Sequence, residues 1–332
     1  MNMSFSKTPY RLSLFGGGTD YPAWFENNPC KIISAAMANY SYVHLKSLPP
    51  FFDHKISVTY SKIEKVNSVD EIEHPSVRAC LKYMDIKDNI VVSYDGDLPA
   101  RSGIGSSSSF TVGLLNALYN FKGKYISLEE LSRQAIHIEQ EIIGENVGIQ
   151  DQIMAAHGGI RLIEMGPGRN WNSYPLFLSP AYMKDLESHI ILGFSGLSRH
   201  AEVQSKKQVE NIKQKNTDFY LKSMSELTEH ALEALMANKS ISKIGNLMDA
   251  GWRLKRNLSD SVTDSWIDRI YEKAISLGAY GGKLMGAGGG GFFLFLVEPK
   301  MQEEFKKQLD EIKVWVPFKF DKDGSHIIHF SD

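Results

Sequence analysis

The reading of the fold turns on LPARSGIGSSSSF, residues 98–110. Just before it, NIVVSY (residues 89–94) is apolar and β-branched enough for a strand. Just after it, Phe110, Leu114, Leu118 and Phe121 recur on one helical face. The plainer reading is a Ser/Gly linker with an ordinary serine N-cap. A linker does not usually join a hydrophobic strand to a strongly patterned helix. The free N–H groups of such a helix start, reinforced by the macrodipole, form an anion site. The serine hydroxyls add donors, and one could ligate Mg²⁺, which prefers oxygen.

Outward from this segment, residues 31–46 and 55–60 alternate partly and carry β-branched and aromatic side chains, which predicts strands. Leu131, Ala135, Ile138 and Ile142 predict a helix that stops at Gly144. A short helix over 150–157 is expected to end at Gly158-Gly159. The second half opens with a strand at 189–194 and is then mainly helical. Leu221, Met224, Leu227, Ala231 and Leu235 share a face, as do Ile267, Ile270, Ala274 and Leu277. A glycine-dense turn over 281–291, the strand FFLFLV, a helix over 301–312 and two short strands follow. This order predicts an α+β fold rather than regular βαβ alternation. The Ser179-Pro180 turn places the boundary near 180–188, dividing the chain into 1–185 and 186–332.

The whole-chain numbers agree with two domains. The 332 residues are 42% hydrophobic and 23% charged, with a net charge of −2. That balance excludes a largely disordered chain and lacks the basic excess of a nucleic-acid binder. Two cysteines, Cys30 and Cys80, allow no disulfide framework beyond a single bridge and no paired-cysteine zinc site. The N-terminal residues show no signal core. The longest clear apolar run, residues 292–297, is far short of the ~20 residues of a membrane helix. The expectation is a soluble cytoplasmic protein with no membrane or nucleic-acid partner; a homo-oligomer is compatible with it.

Two further glycine-rich segments and one acid carry chemistry. TPYRLSLFGGGTDYP (residues 8–22) places three glycines where a backbone can approach a ligand closely. Asp20 beyond them can accept hydrogen bonds from sugar hydroxyls, and Arg11 upstream offers a cationic fork. A tight turn with a capping aspartate and a surface arginine is the alternative. GGKLMGAGGGGFFLFLV (residues 281–297) contains G-x-G-x-x-G at Gly286, Gly288 and Gly291. The dinucleotide fingerprint needs a strand before it and a helix after it. Here a helix is expected before and a strand after, so a loop packing on a neighbouring ligand loop fits better. A glycine-rich hairpin with a packing role alone is the rival. Asp151, in the first turn of the short helix, is kept ionised by the macrodipole and could orient or deprotonate a hydroxyl. By themselves, Asp151 as a first-turn aspartate and Glu139 on a solvated helix face need no function. P-loop, protein-kinase, zincin and serine-hydrolase motifs are absent from the sequence.

Taken together, three segments resemble the motifs of the GHMP kinase superfamily (galactokinase, homoserine kinase, mevalonate kinase, phosphomevalonate kinase). Thr8-Pro9-Tyr10-Arg11 leading to Gly16-Gly17-Gly18-Thr19-Asp20-Tyr21 looks like the first motif. Residues 99–108, PARSGIGSSS, look like the second, and residues 283–292, KLMGAGGGGF, like the third. The resemblance implies an N-terminal α+β domain with a left-handed βαβ unit, a ferredoxin-like C-terminal domain and a site in the cleft between them. It also implies ATP, bound through Pro99, Gly103, Ile104, Gly105, Ser106, Ser107 and Ser108, with Gly288 and Gly289 buttressing. Asp151 matches the acid of the galactokinase stretch G-I-M-D-Q, and Arg11 matches the basic residue beside it. Ser107 and Glu139 match the Mg²⁺-linked serine and acid. Gly17, Gly18, Thr19 and Asp20 fall in the sugar-binding segment. Galactokinase has G-E-H-T-D there, so the Glu-His contacts are missing.

The G-G-G-T-D-Y-P variant, Gln150-Asp151-Gln152 and residues 194–201 (FSGLSRHA) look most like the D-glycero-D-manno-heptose 7-phosphate kinases. That resemblance implies phosphorylation of the anomeric hydroxyl of a heptose 7-phosphate to the 1,7-bisphosphate, on the way to a nucleotide-activated heptose. The fucokinase-like kinases share part of the pattern. The far-end phosphate needs a cationic pocket, for which Arg199 and Arg161 are candidates. The rival expectations are a kinase of an unphosphorylated fucose- or galactose-like sugar, a catalytically silent sugar or nucleotide sensor, and a dinucleotide-dependent oxidoreductase. Turnover with ATP separates the first from the second, and NAD(P)H binding tests the third.

Overall fold

The computed structural model describes residues 3–196 and 201–331. The chain begins with β1 (Met3–Phe15), α1 (Pro22–Phe25), β2 (Cys30–Ser47), β3 (Ile56–Thr59), β4 (Ile63–Val66), α2 (Pro75–Tyr83) and β5 (Ile90–Gly96). It continues through α3 (Ser106–Phe121), α4 (Leu128–His137), α5 (Gln150–His157), β6 (Ile160–Gly166) and β7 (Asn170–Pro175). The strands of this half form one sheet, joined by a strand from the chain's end. β2 is long enough to take three partners. It lies antiparallel to β1 along its length, to β6 over Cys30–Ala35 and to β5 over Ser41–Ser47. β3 is parallel to β5, and the connection between them carries β4 and α2.

The second half runs α6 (Pro180–His189), β8 (Ile190–Phe194), α7 (Ala201–Lys213), α8 (Asp218–Met236), α9 (Ile241–Lys255) and α10 (Ser265–Ser276). It then forms β9 (Gly281–Leu284), β10 (Phe292–Leu296), α11 (Gln302–Gln308) and β11 (Val314–Val316). These strands make a fully antiparallel sheet in the order β11-β8-β10-β9. A sheet of that order, with helices between its first and second and its third and fourth strands, is the ferredoxin-like arrangement. β12 (His326–Ser331) then leaves this sheet and pairs antiparallel with β1. The boundary proposed at 185/186 falls within α6, between the strands of the two sheets, and this last strand belongs to the first sheet.

The elements mostly follow the apolar pattern, with three informative differences. The helix expected from Phe110 begins at Ser106, because the serine run forms its first turn. The helix through Ile142 leaves α-geometry at Ile138 and ends as a π-helix over Ile138–Ile143, closed by Gly144 at φ 81°. The glycine-dense turn is only partly a turn. Gly281–Leu284 are hydrogen-bonded to β10 as strand β9, so a strand rather than a helix precedes the G-x-G-x-x-G. The dinucleotide fingerprint still fails, since a strand follows it too.

Apolar clusters cross the seam between the halves. Trp24, Phe25, Ile149 and Met154 share one with Trp252, Tyr271 and Phe293. A second joins Tyr10, Leu12 and Ile104 to Met248, Met285 and Phe292. Both cysteines are free and buried. Among the described residues no helix is long and apolar enough to cross a membrane.

Candidate active site

The site is assembled on the N-terminal start of α3. Its N-cap, Gly105, sits at φ 73° and supplies no side-chain cap. The first N–H groups of a 16-residue helix are thereby left for a ligand. Ser106, Ser107 and Ser108 stand on the cleft wall beside them. The loop preceding α3 is laid on β1, where Arg11 N donates to Ile104 O at 3.1 Å. Ile104 itself is fully buried in the core, so it anchors this loop with its side chain and can reach a ligand only through its backbone. Pro99 is exposed off the cleft and accepts the Ser102 hydroxyl at 2.6 Å.

Arg11 and Asp151 meet across the cleft floor. Arg11 Nε donates to Asp151 Oδ1 at 2.7 Å and Nη2 to Oδ2 at 2.8 Å. Nη1 donates to Gly103 O at 2.6 Å. A bidentate guanidinium–carboxylate pair has fixed geometry. Asp151 thus faces the helix start with its position set, on the first turn of α5.

Asp20 is buried beside them and also lines the cleft. Its oxygens accept from Gly18 N at 3.1 Å and Gln150 N at 3.3 Å. Burial, and then the charge of Asp151, push its carboxyl above the usual range. Gly148 is required here: a Cβ would stand 1.8 Å from Asp20 Oδ2. Gly17 and Gly18 reach the cleft wall, but Thr19 does not. Its hydroxyl turns back to Gly16 O at 2.9 Å and holds the turn.

The third glycine segment props the second, backbone against backbone. A Cβ on Gly103 would lie 2.6 Å from Met285 O, and one on Gly291 would lie 2.3 Å from Ser102 O. Gly288 and Gly289 are not on the cleft wall. Gly288 packs on Val262, and Gly289 N donates to Val262 O at 3.0 Å. Gly286 and Ala287 take the cleft position instead.

Of the two residues expected to hold Mg²⁺, Ser107 lines the cleft and Glu139 lies behind it, bonded to the neighbouring serine. Ser108, not Ser107, donates to Glu139 Oε2, at 2.8 Å. Ser107 points from the exposed side of the same turn. Glu139 is buried, and its Oε1 has no hydrogen-bond partner. Burial, and then Glu145, push its pKa up to about 7. An orphaned carboxylate oxygen one hydroxyl behind the cleft wall fits a hard cation. Among the described residues no three ligating side chains converge. Such a cation would draw most of its ligands from phosphates and water.

One candidate for a distal-phosphate pocket drops away. Arg161 is engaged on β6, donating to Ser173 Oγ at 2.6 Å and Ser173 O at 3.0 Å, and is not on the cleft wall. Arg199 lies outside the described residues. The cleft also holds residues to which the sequence assigned no role: Ser13, Tyr21, Arg101 and Gln150 within the quoted motifs, and Ser205, Gln208 and Lys255 outside them. Only Lys255 had a signal of its own. It continues the buried stripe Ile241, Ile244, Met248, Trp252, where a lysine is out of place. Tyr21 ties the halves together, while Gln208 ties α7 to the third glycine segment within the second half. The Tyr21 hydroxyl donates to Ser205 Oγ at 3.2 Å, and Gln208 Nε2 donates to Ala287 O at 2.7 Å.

Comparison with known proteins places these features. The GHMP kinases N terminal domain matches residues 75–159, and the GHMP kinases C terminal domain matches residues 231–312. The chain is 27% identical to the D-glycero-alpha-D-manno-heptose 7-phosphate kinase of Campylobacter jejuni, over 96% of this chain and 97% of that one. It is 30% identical to the bifunctional fucokinase/GDP-fucose pyrophosphorylase of Arabidopsis thaliana, over 65% of this chain but 21% of that much longer protein. A D-glycero-D-manno-heptose 1-phosphate kinase from Bacteroides thetaiotaomicron has the same fold, with a TM-score of 0.77, 23% identity and 99% of both chains covered. With both family domains in order, and the helix start, the paired arginine and aspartate and the buttressing loop in one cleft, this chain belongs to the GHMP kinase family of ATP-dependent kinases.

Proposed function

We propose that this kinase transfers the terminal phosphoryl group of ATP to the anomeric hydroxyl of a heptose 7-phosphate, giving the 1,7-bisphosphate. The observation that carries the reading is the bidentate Arg11–Asp151 pair facing the uncapped start of α3. In the proposed division into 1–185 and 186–332, this cleft lies at the seam. Phosphoryl transfer relies on positioning and charge neutralisation more than on covalent chemistry by the protein.

The N–H groups and hydroxyls of Ser106–Ser108 bind the triphosphate, with Gly103 and Gly105 allowing its close approach. Asp151 accepts the proton of the sugar hydroxyl, or orients that hydroxyl for in-line attack. Arg11 fixes the position of Asp151 and adds positive charge beside the transferring group. Gly17, Gly18 and Asp20 hold the sugar, Asp20 by accepting hydroxyl hydrogen bonds. Ser107, Ser108 and Glu139 are the residues that would hold Mg²⁺, which when bound offsets negative charge on the phosphates.

The heptose assignment is supported by the full-length similarity to the Campylobacter jejuni enzyme. The fucokinase similarity makes an unphosphorylated fucose-like sugar the second reading. An ATP-coupled screen against heptose 7-phosphate, mannose, fucose and galactose decides between them. Heptose 7-phosphate is expected to give the highest kcat/KM. Preference for an unphosphorylated hexose would overturn the substrate and leave the kinase, and binding without turnover would overturn catalysis.

A further inference from the structure

Lys255 ends α9 on its buried face and is only 4% exposed, yet it lines the cleft beside Arg11, Asp151 and Gly286. Its Nζ donates to Gly286 O at 2.5 Å. That accounts for one of the three donors of an ammonium. Among the described residues it forms no ion pair. The two nearby carboxylates are already held: Asp151 by both arms of Arg11, and Asp20 by Gly18 N and Gln150 N. Behind it Lys283, also buried, has one long contact to Leu14 O at 3.4 Å. Burying an ammonium without a counter-charge is costly. Pinning a loop carbonyl does not require one, since a neutral amide donor would serve. A charge kept there at that cost, with donors to spare at the wall of an anion-binding cleft, has the properties of a ligand group.

We propose that the Lys255 ammonium binds a tetrahedral phosphate dianion in the cleft, between Asp151 and the start of α3. The inference rests on the kinase reading and extends it to the second half of the chain, whose other residues on this wall, Ser205, Gln208, Gly286 and Ala287, carry no charge. The dianion has two sources, the terminal phosphoryl of the nucleotide or the phosphate already on the sugar. Burial, and then Arg11, push the pKa of Lys255 down to about 8. The charged groups facing it are Arg11 from β1, Asp20 from the first glycine loop, Asp151 from α5 and Lys283 from β9.

Calorimetric binding to Lys255→Met tests this in two arms, a non-hydrolysable ATP analogue against ADP, and heptose 7-phosphate against heptose. Loss of about ten- to hundredfold in affinity, the scale of one hydrogen bond to a charged group, is expected in the more phosphorylated member of one arm. The arm affected names the source. A folded Lys255→Met that binds all four ligands as the wild type does overturns the proposal. Should that variant not fold, Lys255→Arg and wild type are compared from pH 7 to 9.5. Wild type is expected to lose affinity for the ATP analogue or the sugar phosphate as pH rises through about 8, while Lys255→Arg keeps it. Parallel profiles overturn the proposal. Since binding is read directly, wild-type protein that binds these ligands without turnover would count against the kinase reading alone.

Discussion

Arg11 and Asp151 are 140 positions apart in the chain and share two hydrogen bonds. Removing either partner leaves charge uncompensated in a partly buried cleft. Asp151→Asn keeps the shape and loses the proton acceptor, so kcat should fall by at least ~10²-fold, the scale for a lost general base. Arg11→Ala should act in the same direction. Steady-state kinetics at saturating ATP and sugar check both, and near-wild-type turnover would remove the residue from the mechanism. At this scale the motifs singled out Arg11 and Asp151, which the structure pairs, but gave no side-chain directions. Ser107 and Ser108 differ by one helical step of about 100°, and that step decides which hydroxyl meets Glu139. Thr19 and Ile104 sit inside ligand-binding segments, yet their side chains serve the turn and the core.

The elements work through backbone contacts between loops. The loop before α3 and the loop after β9 touch at Gly103 and Gly286 with no room for a side chain. Gly103 also sits at φ 83°, where an L-residue is strained. Gly103→Ala should therefore separate the two loops and misplace the start of α3. The expected result is a KM for ATP raised at least ~10-fold with a smaller change in KM for the sugar, and a loss of about 1–3 kcal/mol in stability. An unchanged KM for ATP in initial-rate measurements would show that the loop contact does not shape the nucleotide site. The glycines were visible in the sequence, but their partners were not, because a glycine pattern records close approach without saying to what. That ambiguity also made β9 look like turn: its two glycines hide a strand that only pairing with β10 reveals.

Across the molecule, the two halves are bound together by the last strand as well as by the core. Thr8 and Ser325 hydroxyls share a hydrogen bond at 2.8 Å, Ser325 N donates to Ala155 O at 2.8 Å, and Asn116 Nδ2 donates to Ser325 O at 3.1 Å. Deleting residues 325–332 would unpair the outer edge of β1, the strand that carries Arg11, and open a new sheet edge. We expect a melting temperature lower by about 3 °C or more, from the loss of roughly 2 kcal/mol or more, with greater aggregation on heating. Thermal denaturation of the truncated chain at matched concentration checks this, and an unshifted midpoint would show that β12 adds nothing to stability.

Local chemistry was enough for much of this protein. Apolar periodicity marks α3, α4, α8, α10 and the buried strands, since each must present one face to a core. The three glycine segments and Asp151 together carry the family resemblance, and the second segment, set against a helix start, is where a phosphate site is expected. What awaited the fold were the relations between distant segments: the Arg11–Asp151 pair, the return of β12 to β1, and the placing of Lys255 against Gly286. Those depend on which buried faces meet, and burial energy is nearly blind to partner identity. Many pairings satisfy the same pattern of apolar residues, and only the packed chain selects one.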